Sequence, residues 1–242
     1  MRFLSALPLL LPLALPAQTI VSQLGDNNWD AYSAFINAGS TSFDFHDMPG
    51  TANGALTITT SGVANIASYD IAGTKLTAFS GATYRWEPGT RNVSLKLELN
   101  RTINLFGISI PYGIGTMVYD PEPTATGWTT TTVDSSTRWW FTKYTGTTNK
   151  YRTLSAWADY FGSSLPTIGA IELGVGSSTA TAPCTGSVDW IDYSILSGGA
   201  LLTKKADFAT PIPEPSTAAA LIGTCCLGAA AIAHRRKRQR LR

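Results

Sequence analysis

Along Val93–Leu99 the chain alternates with a period of two: Leu95, Leu97 and Leu99 fall on one side, Lys96 and Glu98 on the other. Successive side chains of a strand point to opposite faces, so this stretch reads as a half-buried strand with its charges in solvent. The same reading applies to Ala55–Thr60, to Ile103–Ile110 after a short Asn100-Arg101 turn, and to the aromatic Arg138–Tyr144. It applies again to Ile168–Val175, which ends at Gly176, and to Ser187–Leu196. Turn clusters separate these runs at Pro111-Tyr112-Gly113, Asp120–Pro123 and Gly146–Asn149. Many short strands with regular turn signals predict an all-β chain folded as an antiparallel β-sandwich or barrel. Helices are few. One is expected at Trp29–Ala38, capped by Asn28 or Asp30 with Tyr32, Phe35 and Ile36 as its apolar face, and a second short turn at Leu154–Phe161.

Composition supports sheet. Charged residues make up 14% of the 242, against ~25% in ordinary soluble domains. Threonine takes much of their place, as in Thr57, Thr59, Thr60 and the run Thr129–Thr132. The net charge of +2 is unevenly placed: six Lys/Arg lie in the last nine residues and one at Arg2, leaving 11 basic against 16 acidic residues. A mildly acidic middle argues against nucleic acid as a partner, because phosphate binding needs clustered Lys and Arg. Cys184 stands alone outside the two ends, so no intradomain disulfide can form, and no CxxC pair is present for zinc.

The ends carry addresses. Met1-Arg2, the apolar run Phe3–Leu15 and Pro16-Ala17 form a secretory signal, residues 1–17, with cleavage expected after Ala17 by signal peptidase. The apolar run is too short to span a bilayer, which needs ~20 residues. At the other end Pro211–Thr217 is proline-rich and extended. It is followed by an apolar stretch, read as a single transmembrane helix over about 217–233, and a basic end at 234–242. Arg235, Arg236, Lys237, Arg238 and Arg240 act as a stop-transfer cluster that stays cytoplasmic, which places the main domain outside.

This tail resembles the PEP-CTERM sorting signal. The resemblance rests on Pro213, Glu214 and Pro215 as the recognition motif, extended by Ser216 and Thr217, then the apolar helix and the Arg-rich end. It implies an exosortase-type membrane protease as partner, cutting at or near the motif, and residence in the inner membrane before processing. After processing the protein would sit at the cell surface or in the extracellular matrix. The domain expectation is therefore signal 1–17, exported domain 18–200, linker 201–212 and sorting tail 213–242. The exported part also resembles jelly-roll, lectin-like domains, through Phe43-Asp44-Phe45, Ile103–Ile108 and Trp190–Ile195 as a last strand.

Catalysis has little to work with. His46 is the only histidine outside the tail, and no GxSxG elbow is present. A glycoside hydrolase would need two opposed carboxylates, and Glu87, Glu98, Glu122 and Glu172 are available without a spacing that picks a pair. No cofactor is expected, although a structural calcium has candidates in Asp26, Asn28 and Asp30, which match the opening of a calcium loop whose glycine and final glutamate are missing. Asp189 and Asp192 are alternative ligands. Seven tryptophans offer stacking platforms for sugar, among them Trp86, Trp128 and Trp157. The consecutive Trp139 and Trp140 must face opposite sides of a strand, one in the core and one exposed. The functional expectation is an exported surface or matrix protein, structural or adhesive and not an enzyme. A carbohydrate-binding module acting on exopolysaccharide is the second reading and a secreted hydrolase the third.

Overall fold

The computed structural model describes residues 18–35, 41–105, 108–122, 126–176 and 183–210. The signal segment 1–17 and the tail 213–242, with its sorting motif, apolar run and basic cluster, lie outside the described residues. Among the described residues no helix is long and apolar enough to cross a membrane.

In chain order the elements are β1 (Gln18–Val21), β2 (Trp29–Phe35), β3 (Thr41–His46), β4 (Ala55–Thr60), β5 (Val63–Ser68), β6 (Phe79–Pro88) and β7 (Ser94–Leu105). They continue with β8 (Ile108–Tyr119), β9 (Thr129–Val133), β10 (Trp140–Phe141), α1 (Leu154–Phe161), β11 (Thr167–Gly176), β12 (Cys184–Ser197) and β13 (Ala200–Phe208). A seven-stranded sheet is built around the long β12, which pairs with β6 along one side and with β4 and then β13 along the other. A six-stranded sheet runs β10-β8-β7-β11-β5-β2. All pairings are antiparallel except β1 with β13.

The two sheets form a sandwich because each has one apolar face. Leu95, Leu97 and Leu99 of β7 stand in register with Leu173, Ile171 and Ile168 of β11, and all are buried. Facing them, Val188, Ile191, Tyr193 and Ile195 of β12 line up with Trp86, Tyr84, Ala82 and Phe79 of β6. The buried Tyr84 hydroxyl donates to the Val93 carbonyl at 2.9 Å, whereas the indole N–H of the core Trp139 has no partner. Helix α1 closes one end. The Thr153 side chain caps it by accepting from Ala156 N, and Leu154, Trp157 and Phe161 turn into the core.

Four expectations are corrected. Trp29–Phe35 is a strand and not a helix: β5 offers an unpaired edge, and Trp29 is more useful packed edge-on against Phe208, with centroids 5.1 Å apart, than on a helix face. Asn100-Arg101 is no turn. β7 runs through it with a bulge at Leu99/Asn100, and the chain reverses later, between Leu105 and Ile108. Pro111-Tyr112-Gly113 lies inside β8. The domain does not end at residue 200, because residues 201–208, read as linker, belong to β13, and the compact unit extends to Thr210. β13 buries only Ala206 and Phe208 among its larger apolar side chains, whereas Leu201 and Leu202 are exposed, so its alternation is faint.

Candidate functional site

The outward face of the six-stranded sheet departs most from what its sequence predicts. One ladder row crosses all six strands, Trp140–Val118–Lys96–Glu172–Ala67–Asp30. Lys96 and Glu172 were expected in solvent, yet only 8% and 1% of their surfaces are exposed. Two buried charges in the middle of a sheet need partners, or they would shed their charge. Asn65, on β5, supplies them. Its Oδ1 accepts from Lys96 Nζ at 2.5 Å and its Nδ2 donates to Glu172 Oε2 at 2.8 Å. Asn65 reaches both because Gly174, beside it on β11, has no side chain: a Cβ there would overlap Asn65 Oδ1 and stand 2.6 Å from the Ala64 carbonyl.

One acceptor remains over. Glu172 Oε1 is buried and has no hydrogen-bond partner in the structure. Burial pushes the Glu172 carboxyl up to about 7; Lys96 opposes this shift and the neighbouring Glu98 adds to it. Burial likewise lowers the Lys96 ammonium, against the pull of Glu172 and Asp120. Glu98 lies on the same face, one row along β7, half-buried and raised by desolvation. It sits beside the β11 bulge at Gly169, where a Cβ would collide with the Asn100 amide and come within 3.3 Å of Glu98 Oε2. The missing Cβ atoms of Gly169 and Gly174 therefore lower the floor around these polar heads.

Aromatic rings border this floor on two sides. Trp140 is half-buried on the edge strand β10, its Nε1 donating to Asp120 Oδ2 at 3.0 Å. Asp120 also accepts from the Ser94 hydroxyl, which ties the indole to β7. Lys150 Nζ lies over the Trp140 ring, 4.7 Å from its centroid. On the other side Tyr69 follows β5, 45% exposed, its hydroxyl held above its usual range by burial and by the carboxylates of Glu98, Glu172 and Asp30.

The predicted site residues divide. Trp139 is fully buried against Phe79 and Tyr119 and is unavailable for stacking, whereas Trp140 is the member of the pair that faces outward. Trp86 and Trp157 are core residues, and Trp128 lies under the Arg85 guanidinium. The calcium candidates do not converge. Asp26 Oδ2 accepts from Ser22 and Gln23, Asn28 donates to Asp70, and Asp30 accepts from the Ala31 amide. Asp189 is clamped by Arg85 at 2.5 Å, so it too is spent. Among the described residues no group of three His, Cys, Asp or Glu is placed to hold a metal. The sorting residues Pro213, Glu214, Pro215, Ser216 and Thr217 lie outside the described residues. A separate cavity of 340 Å³ is lined mostly by the single loop Glu87–Asn92 and gathers no comparable set of groups.

Sequence reasoning missed Asn65, Lys96, Tyr69 and Lys150. A signal was present: Glu172 interrupts a run, Ile168–Val175, that is otherwise apolar on both faces. A strand covered on both sides reads as such a run, so a lone charge in it demands a partner on the next strand.

No protein-family model matches the chain, and no curated protein matches it. Among solved structures it is similar to the family 11 carbohydrate-binding module of the cellulosomal cellulase Lic26A-Cel5E of Clostridium thermocellum, at 14% identity over 68% of this chain and 86% of that one, with a TM-score of 0.43. It is also similar to a family 11 module from Clostridium thermocellum in complex with a β-1,3-1,4-mixed-linked tetrasaccharide, at 13% identity over 70% of this chain and 89% of that one, with a TM-score of 0.42.

Proposed function

We propose that this chain is an exported carbohydrate-binding β-sandwich that holds a polysaccharide across the outward face of its six-stranded sheet. The observation that carries the reading is the ladder row from Trp140 to Asp30. A sugar presents apolar CH faces and a rim of hydroxyls. Trp140 and Tyr69 offer rings for the first, and Glu98 and Asp120 offer acceptors for the second, above the buried and unpartnered Glu172 Oε1. This takes the carbohydrate-binding expectation over a purely structural one, because two outward rings border a face that carries hydrogen-bond acceptors between them. The action is holding, without bond cleavage.

The test is affinity electrophoresis against a panel of soluble polysaccharides. Trp140→Ala should weaken binding about tenfold or more, ~1.4 kcal/mol, with an unchanged thermal melt. Incubation should release no reducing ends. Equal retardation of the wild type and Trp140→Ala would sink the reading.

Delivery belongs to the same proposal. The tail beginning at Pro213 is read by an exosortase-type protease after export, which puts the sandwich at the cell surface or in the matrix, where exopolysaccharide is the polymer to hand. Intact mass of the mature protein from its native host should give an N-terminus at Gln18 and a C-terminus near Pro213 to Ser216. A mass that retains Arg242 would overturn the sorting part alone.

A further inference from the structure

The charge on the binding face says which polysaccharide it suits. Four carboxyl groups stand there: Asp30 and Glu172 in the central row, Glu98 one row along, and Asp120 beside the indole, and burial, which raises Glu172 to about 7, leaves that one largely neutral in mildly acidic solution. Two ammonium groups oppose them, and both are engaged. Lys96 Nζ donates to Asn65, and Lys150 Nζ covers the Trp140 ring. An acidic glycan, with uronate or sulfate groups, would bring more negative charge to a face that already carries an excess.

We infer that the ligand is a polysaccharide bearing free amino groups, which the carboxylates of this face select over acetylated and acidic chains. The inference rests on the carbohydrate-binding reading and adds the ligand's charge to it. Two observations besides the acidic lining support it. The buried Glu172 Oε1 lacks a donor, and a ligand N–H that reaches the floor supplies one. The Trp140 ring, moreover, already holds an ammonium in the free protein: Lys150 Nζ at 4.7 Å occupies the position that a sugar amine would take. A ring face is attractive to a cation because of its quadrupole, and Lys150 is exposed on a loop, so it leaves at little cost.

The exported chain is titrated calorimetrically, at mildly acidic pH, with oligosaccharides of glucosamine, of N-acetylglucosamine and of guluronate. The glucosamine oligomer should bind about tenfold more tightly than the acetylated one, and the guluronate oligomer should not bind. Raising the salt to about 0.5 M should cut this preference several-fold, since exposed charge pairs are screened at that strength. Glu98→Gln should reduce the preference about threefold, weakening the glucosamine oligomer more than the acetylated one. If acetylated and free amines bind equally, while Trp140→Ala still weakens both, the amine inference is overturned and the carbohydrate reading stands. If no glycan binds, both fall. Binding of guluronate at least as tight as that of glucosamine also overturns the inference.

Discussion

Asn65 holds two charges that would otherwise be untenable. Lys96 and Glu172 face each other across β7 and β11, and the amide between them satisfies one atom of each. Glu172 nevertheless keeps a carboxyl raised to about 7, because burial outweighs the nearby ammonium. A carboxyl raised on folding binds its proton more tightly in the native state than in the unfolded chain. Its stabilisation is complete below the ordinary glutamate value of 4.5 and is lost as pH rises to about 7. The wild type should therefore be less stable at pH 8 than at pH 5, by on the order of 3 kcal/mol at most, and melt at a lower temperature. Glu172→Gln, which keeps the shape and stays neutral, should flatten this dependence. A variant whose melting temperature falls as steeply as the wild type's would assign the effect elsewhere.

At the scale of elements, legibility followed how strongly each strand alternates. β4 and the first half of β7 show a clear apolar period, and the sequence placed both. α1 was equally legible, since Leu154, Trp157 and Phe161 recur at helical spacing. Trp29–Phe35 misled because aromatic residues three apart satisfy a helix as well as they satisfy a strand that carries a bulge, here between Tyr32 and Phe35. Only the free edge of β5 decides between them, and that edge is set by tertiary structure. β13 was missed for another reason. Most of its side chains are exposed, so hydrophobicity is silent, but Gly198 and Gly199 both have positive φ and join Ser197 to Ala200 in a two-residue hairpin. A Gly-Gly pair after a strand-like run is a hairpin signal, and it could have been read. The binding face was the least legible feature. Lys96, Glu98 and Glu172 looked like an ordinary solvated side until the register set them beside Asn65 and Gly174.

The described residues, up to Thr210, form a sandwich whose two outward faces differ in character. The seven-stranded sheet turns out hydroxyl pairs, such as Thr57 with Ser187 and Thr83 with Thr132, and charged groups already closed on one another, such as Arg85 with Asp189. Trp190 on that side lies under Lys205. Among the described residues each sheet keeps one buried acceptor without a partner, Asp192 Oδ1 on the seven-stranded sheet and Glu172 Oε1 on the six-stranded one, but the second stands on the face that the Trp140 and Tyr69 rings border. The central claim is that polysaccharide binds on the second face and not on the first. Indole N–H resonances report this directly, because Trp140 Nε1 donates to Asp120 at the binding face while Trp190 marks the opposite sheet. In a titration of the 15N-tryptophan-labelled protein with a binding oligosaccharide, the Trp140 indole signal should shift progressively and saturate, with Trp190 unmoved. A shift at Trp190 with Trp140 unchanged would contradict the account and move the site to the other sheet.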